Sequence, residues 1–332
     1  MKLTKRLQSA LAQSITSYLA LMRALGRRYA NEEGVLRSLD HFLATSGRSK
    51  LTANSFTSWC RTLQHLTPTV RRNRMRIVRN YCLYRQRSTP FCFVPDPMLF
   101  PAPHQPTKPY IFDKKEIVQL IATARKLQPT YQSPLRAEVY TLAIVLLYTT
   151  GLRRGELIRM TLGDYDATHR TLFVRETKFH KSRYVPLSAD AFREVEHYLQ
   201  VRQKHRLLLT PETPFMWNRY VNGPAFTATG LALGLRALFR SAGIHKLNGR
   251  PPRVHDLRHT FAAHALLRWY KSGADVQAKL PLLATYMGHI SIASTEYYLQ
   301  FIEPLASSAS ARFSKHCGAL VRINAKQKGC EQ

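Results

Sequence analysis

Three short clusters in this chain hold basic, acidic and hydroxyl side chains whose types and spacing could do chemistry. In the first, Thr150-Gly151-Leu152-Arg153-Arg154-Gly155-Glu156-Leu157, an arginine follows a helix break directly and a carboxylate stands three residues further on. On a helix that spacing is about one turn, so Glu156 can orient Arg153 or a neighbouring base. In the second, His255-Asp256-Leu257-Arg258-His259, His255 and Arg258 share one helical face. The third, Met287-Gly288-His289, precedes Ser294-Thr295-Glu296-Tyr297-Tyr298. Guanidinium groups bind phosphate oxygens in bidentate fashion. Each cluster alone has a plainer reading: a surface ion pair for Arg153 and Glu156, a core aromatic for Tyr298. His255 and His259 also have the spacing of a zinc pair. The chain lacks H-E-x-x-H, and no third ligand stands at a characteristic distance, so no metal is expected.

The elements that must position these side chains belong to a strongly basic chain. Its 332 residues hold 50 Lys and Arg against 20 Asp and Glu, a formal charge of +30. A hydrophobic fraction of 45% suits a folded chain, so the charge must sit on a folded surface, where a polyanion would neutralise it. Nucleic acid is the expected partner, ahead of an anionic membrane surface. Five scattered cysteines (Cys60, Cys82, Cys92, Cys317, Cys330) form no C-x-x-C pair, which fits a reducing compartment and no disulfide framework. The longest apolar run, Tyr140 to Tyr148, is far short of the roughly 20 residues that span a bilayer. A cytoplasmic location follows as an expectation.

Residues 89–110 hold seven prolines and read as an extended connector, because proline fixes φ and removes a backbone donor. Before it, residues 1–88 read as a helical bundle. Leu7, Leu11, Ile15, Leu19 and Met22 form one stripe, Val35 to Leu43 another, Thr52 caps a third helix, and Thr67-Pro68 opens a fourth. The fourth carries Arg71, Arg72, Arg74, Arg76, Arg79, Arg85 and Arg87. Seven arginines in 17 residues suggest a helix laid against phosphates, with the first five as the expected DNA contacts. After the connector, Asp113 with Glu116 predicts a capping box. Ser133-Pro134 opens a helix ending at Gly151, and Thr171–Arg175 with Arg183–Leu187 predict a hairpin. Further helices are expected over 188–204, 256–271, 275–287 and 292–300. The fold class expected is mainly α with a small β-sheet.

The order of these motifs is itself informative. G-L-R-x-x-E-L, a lysine on a hairpin, H-x-L-R-H, G-H and then a tyrosine resembles the tyrosine recombinase (phage integrase) family over roughly residues 111–300. Residues 1–88 resemble that family's core-binding domain and 111–304 its α+β catalytic domain. Residues 305–332 would be a tail of the kind that in the family packs on a neighbouring protomer. Arg27-Arg28-Tyr29-Ala30-Asn31-Glu32-Glu33 and Arg268-Trp269-Tyr270 resemble transposon-borne members.

The resemblance implies a site-specific recombinase or integrase that cuts and rejoins DNA through a covalent 3′-phosphotyrosine. Arg153 matches the family's first arginine, Arg258 the second, His255 the histidine of its H-x-x-R box, and His289 the position the family fills with His or Trp. Tyr298 falls nine residues after His289, the usual place of the nucleophile, with Tyr297 as its adjacent competitor. Within Thr177 to Leu187, Lys178 fits the catalytic lysine better than Lys181. Glu156 matches an acidic position that supports the site.

Chemistry explains why these types belong together. A phosphodiester repels nucleophiles with its charged oxygens, and two arginines stabilise the charge that grows on them. A tyrosine hydroxyl has an ordinary pKa of about 10 and needs a base, for which His255 is suited. Lys178 would protonate the leaving 5′ oxygen and His289 would hydrogen-bond the phosphate. Neither metal nor nucleotide enters, so no cofactor is expected. The expected partners are duplex DNA, further copies of the chain in a tetrameric synapse, and accessory or sister recombinases. A type IB topoisomerase shares the Arg-Lys-Arg-His-Tyr set but would relax any supercoiled plasmid. A silent DNA-binding protein would have no use for Tyr298.

Overall fold

The computed structural model describes residues 7–102, 108–175, 182–219 and 225–288. The chain divides into two units, Met1–Thr107 and Lys108–Gln332.

The first unit is built from α1 (Ala12–Ala24), α2 (Ala30–Thr45), α3 (Ala53–Thr62) and α4 (Pro68–Gln86). The stripe Leu11, Ile15 and Leu19 is buried with Leu36, Leu39, Phe56 and Trp59, as the helical period predicts. Thr52 caps α3 reciprocally with Ser55, whose N–H reaches Thr52 Oγ1 at 3.2 Å. Pro68 is the first residue of α4, where its missing donor costs nothing. The proline-rich stretch does more than connect. Phe93, Val94 and the buried Phe100 pack onto this core. Its carbonyls lack donors within a segment so poor in N–H, and arginines of α4 supply them. Arg72 Nη1 donates to Pro101 O at 2.7 Å, and Arg79 Nη1 donates to Pro95 O.

The second unit is organised around α6 (Arg136–Thr150), which is apolar all round and buried from Val139 to Leu147. Before it stands α5 (Lys114–Arg125), opened by the expected Asp113–Glu116 capping box. The helix expected from Ser133-Pro134 begins two residues later, because Thr130 and Ser133 close a turn on each other by paired backbone bonds of 3.0 and 3.1 Å. After Gly151 come the short α7 (Arg154–Arg159) and strands β1 (Tyr165–Asp166), β2 (Thr171–Val174) and β3 (Arg183–Pro186). They form one antiparallel sheet in the order β1-β2-β3, with Leu172 opposite Val185 and Val174 opposite Arg183. The predicted hairpin is therefore joined by a third, two-residue strand.

Among the described residues four helices follow: α8 (Ala189–Lys204), α9 (Ala228–Ser241), α10 (His255–Lys271) and α11 (Val276–Met287). Helices α5, α8 and α10 pack on α6. Helix α9 is an element the sequence reading does not anticipate, since Gly230 and Gly234 weaken its helical signal. Gly234 is required there by packing: a Cβ would collide with the hydroxyl of Tyr140. The chain is mostly helical with a small sheet, the expected class. Among the described residues no helix is long and apolar enough to cross a membrane. The expected helix over 292–300 and the tail 305–332 lie outside the described residues.

Candidate active site

The site is assembled where α6 ends. Gly151 adopts φ +62°, which stops the helix, and its missing Cβ leaves room for Phe261 of α10. The chain then turns through the extended Arg153 into α7. Glu156 closes on Arg153 from one turn later: its Oε2 accepts the Arg153 backbone N–H at 2.9 Å and its Oε1 accepts Nη1 at 2.7 Å. The spacing that suggested an orienting carboxylate thus gives one, buried to 3% exposure.

Glu156 has a second cation. Arg183, the first residue of β3, donates from Nη2 to Glu156 Oε2 at 2.9 Å. Burial works against the charge of Glu156. The hydrogen bonds and charges of Arg183 and then Arg153 outweigh it and hold the carboxyl down at about 2.

Three arginines converge on the C-terminal end of α11. Arg183 Nε donates to Tyr286 O at 2.8 Å, Arg258 Nη2 to Met287 O at 2.7 Å, and Arg153 Nη2 to Gly288 O at 3.0 Å. Carbonyls at a helix C-terminus lack intrahelical donors and carry the negative end of the dipole, so they attract guanidinium groups. Arg258 also donates from Nη1 to Gly151 O and is only 1% exposed. It ties the end of α6 to the end of α11 across α10.

His255 opens α10, and its ring meets that of His259 edge-on at 4.7 Å between centroids. Part of His255 is exposed. Even so, the protein packed around it and the charges of His259, Arg258 and Arg153 push it down to about 3. The neutral ring is therefore the favoured form at physiological pH. Beside it, the fully buried Asp256 accepts the backbone N–H of Arg253 at 2.8 Å and its Nη2 at 2.9 Å, with Lys246 Nζ at 3.3 Å. These contacts fix the start of α10 and with it the place of His255.

The structure thus brings together Arg153, Glu156, His255 and Arg258. Lys178, His289 and Tyr298 lie outside the described residues, as does Tyr297. Of the arginines on α4, Arg72 and Arg79 are engaged with the backbone of their own unit, Arg71 and Arg74 are half-buried, and Arg76 is exposed. Two residues of the site escaped the sequence reading, Arg183 and Asp256. Asp256 stands inside the His255 cluster. Arg183 opens the second strand of the hairpin, but its partner Glu156 is 27 residues away and no local pattern links them.

Comparison with known proteins identifies the family. The phage integrase family matches residues 111–302. The y4rB protein of Sinorhizobium fredii, which carries an integrase/recombinase name, is 30% identical over 92% of this chain and 98% of its own length. The chain belongs to the phage integrase family. Its class is that of the tyrosine recombinases, enzymes of DNA strand cleavage and rejoining. Tyrosine recombinase XerC 2 of Ralstonia nicotianae is 33% identical over 46% of this chain and 40% of its own. Among solved structures, the Tn1549 transposon integrase in complex with transposon right end DNA shares the fold, with a TM-score of 0.61 at 17% identity over 91% of this chain and 98% of that one. XerH recombinase bound to palindromic difH substrate matches with a TM-score of 0.61 at 16% identity over 84% and 78% of the two chains.

Proposed function

We propose that this chain is a site-specific recombinase of a mobile element that cuts and rejoins DNA through a covalent 3′-phosphotyrosine. The observation that carries this reading is the convergence of Arg153 and Arg258 on one helix end beside a neutral His255. Donors from two guanidinium groups at one point suit the non-bridging oxygens of a single phosphate. The y4rB relative and the transposon integrase of like fold support the mobile-element setting.

In this scheme the Tyr298 hydroxyl attacks the scissile phosphorus while His255 takes its proton. The bond from phosphorus to the 5′ oxygen breaks, and Lys178 protonates that oxygen as it leaves. Arg153, Arg258 and His289 hold the charge that builds on the phosphate. The phosphotyrosine conserves the bond energy, so a 5′-hydroxyl from another strand can reverse the step and restore a continuous backbone.

The partner is duplex DNA. The charge of +30 supports this, as do the DNA complexes of the two proteins of like fold. Exchange between two duplexes calls for several copies of the chain, so the working form is a homo-oligomer on DNA, with sister or accessory recombinases as further members. Its place of work is the bacterial nucleoid.

The test uses nicked duplexes drawn from the ends of its own genetic element, on which cleavage is trapped. The native protein should give an SDS-resistant protein–DNA adduct that Tyr298→Phe abolishes and Tyr297→Phe retains. Loss only in Tyr297→Phe would move the nucleophile by one residue. Tight binding with no adduct on any site would overturn the reading in favour of a silent DNA-binding protein.

A further inference from the structure

We propose that Arg183 is a positioning residue for strand cleavage, setting the place and the effective charge of Arg153 through the two groups that both arginines hold. The inference rests on the function proposed above.

Arg183 and Arg153 come from different elements, the start of β3 and the start of α7, yet they share the same two supports. The first is the Glu156 carboxylate: Arg153 takes Oε1 at 2.7 Å and Arg183 takes Oε2 at 2.9 Å. The second is the last turn of α11, where Arg183 Nε holds Tyr286 O at 2.8 Å and Arg153 Nη2 holds Gly288 O at 3.0 Å. A guanidinium group is a rigid fork, so fixing both anchors fixes its plane. Gly288 keeps the arrangement open. A Cβ there would stand 2.9 Å from Arg183 Nη1 and 3.6 Å from Arg153 Nη1.

Charge gives the pairing a second consequence. A buried carboxylate alone with Arg153 would cancel the charge that a phosphate needs to meet. Shared between two guanidinium groups, Glu156 leaves the trio with a net positive charge, and Arg153 is its more exposed member, 31% against 10% for Arg183. Arg183 thus occupies half of the carboxylate and leaves Arg153 able to stabilise an anion. Arg183 is too buried to serve as the main phosphate ligand itself, and its donors are turned to Glu156 and Tyr286.

The experiment is single-turnover cleavage of the nicked duplex by the full chain, with either a phosphodiester or a neutral methylphosphonate at the scissile position. Arg183→Gln should cleave the phosphodiester about 10–100-fold more slowly, the range typical of lost outer-shell partners. Its affinity for DNA should stay at the native value. Its deficit should shrink on the methylphosphonate, which presents less charge for Arg153 to neutralise. Arg183→Lys keeps the charge but cannot hold both anchors, and should fall between the two. It carries the same comparison if Arg183→Gln does not fold.

Native cleavage rates in both variants would overturn the inference, as would an equal loss on both substrates, since a purely structural defect does not distinguish them. A native protein that cleaves neither duplex would overturn the proposed function and this inference with it. A native protein that cleaves normally beside an unimpaired Arg183→Gln would overturn this inference alone.

Discussion

Arg258 reaches the carbonyl of Met287 at 2.7 Å while almost wholly buried, so the arginine assigned to the phosphate is also a strut between α10 and α11. Its other amino group holds Gly151 O, the point where the chain turns toward Arg153. The phosphate contact proposed for Arg258 and the local stability therefore rest on one side chain. Arg258→Ala should leave two buried carbonyls without donors and lower stability by roughly 3 kcal/mol, as well as abolishing cleavage. Urea unfolding checks the first and adduct formation the second. A variant of native stability would show that the strut is dispensable.

Glu156 makes the fold acid-sensitive. Its carboxyl is depressed from 4.5 to about 2, so the folded state is favoured wherever the unfolded chain would ionise less readily. The contribution is complete above roughly pH 5 and disappears as pH falls through about 2, amounting to about 3 kcal/mol by linkage. Glu156→Gln should therefore be markedly less stable than the native chain at pH 7, and the gap should narrow toward pH 3. Denaturant melts at both values measure it. A gap independent of pH would mean that the carboxylate charge contributes nothing.

His255 should stay neutral where ordinary histidines protonate. Its folded pKa lies near about 3, below the ordinary value of 6.5, so only the neutral ring is populated across the physiological range. In the DNA-free protein, imidazole NMR signals assigned with His255→Gln should show no titration between pH 7.5 and about 5. A midpoint near 6.5 would contradict the depressed value and show a ring titrating as an ordinary solvated histidine.

On α4 the arginines should separate into two kinds. Arg76 is exposed, so Arg76→Gln should weaken DNA binding, reduce the salt dependence by about one ion and leave stability unchanged. Arg72 holds Pro101 O, so Arg72→Gln should lower stability by about 1 kcal/mol through the lost hydrogen bond. Titrations at several salt concentrations, paired with thermal melts, distinguish the two. The same profile in both variants would contradict the division.

Much of this was legible in the sequence because it is encoded locally. The stripe from Leu11 to Leu19, the Thr52 and Asp113 caps, the stop at Gly151 and the strands around Leu172 and Val185 all follow from period and chemistry within a few residues. The pairing of Arg153 with Glu156 was legible for the same reason. What was not legible depends on distant partners. Helix α9 hides behind Gly234, whose need arises from Tyr140, nearly a hundred positions earlier. The place of Arg183 depends on Glu156 and Tyr286, and the ties of Arg72 and Arg79 depend on prolines whose carbonyls lack local donors. A sequence pattern names the residue types of such contacts but carries no sign of their meeting.

The most direct test of the account is to map the covalent bond itself. Adduct trapped on a nicked duplex would be digested with nuclease and trypsin and the nucleotide-bearing peptide sequenced by mass spectrometry. The released strand would be tested for its 5′ end. The account predicts a nucleotide joined through its 3′ phosphate to Tyr298 and a released strand carrying a free 5′-hydroxyl. A nucleotide on a serine, or a released strand carrying the phosphate at its 5′ end, would contradict it.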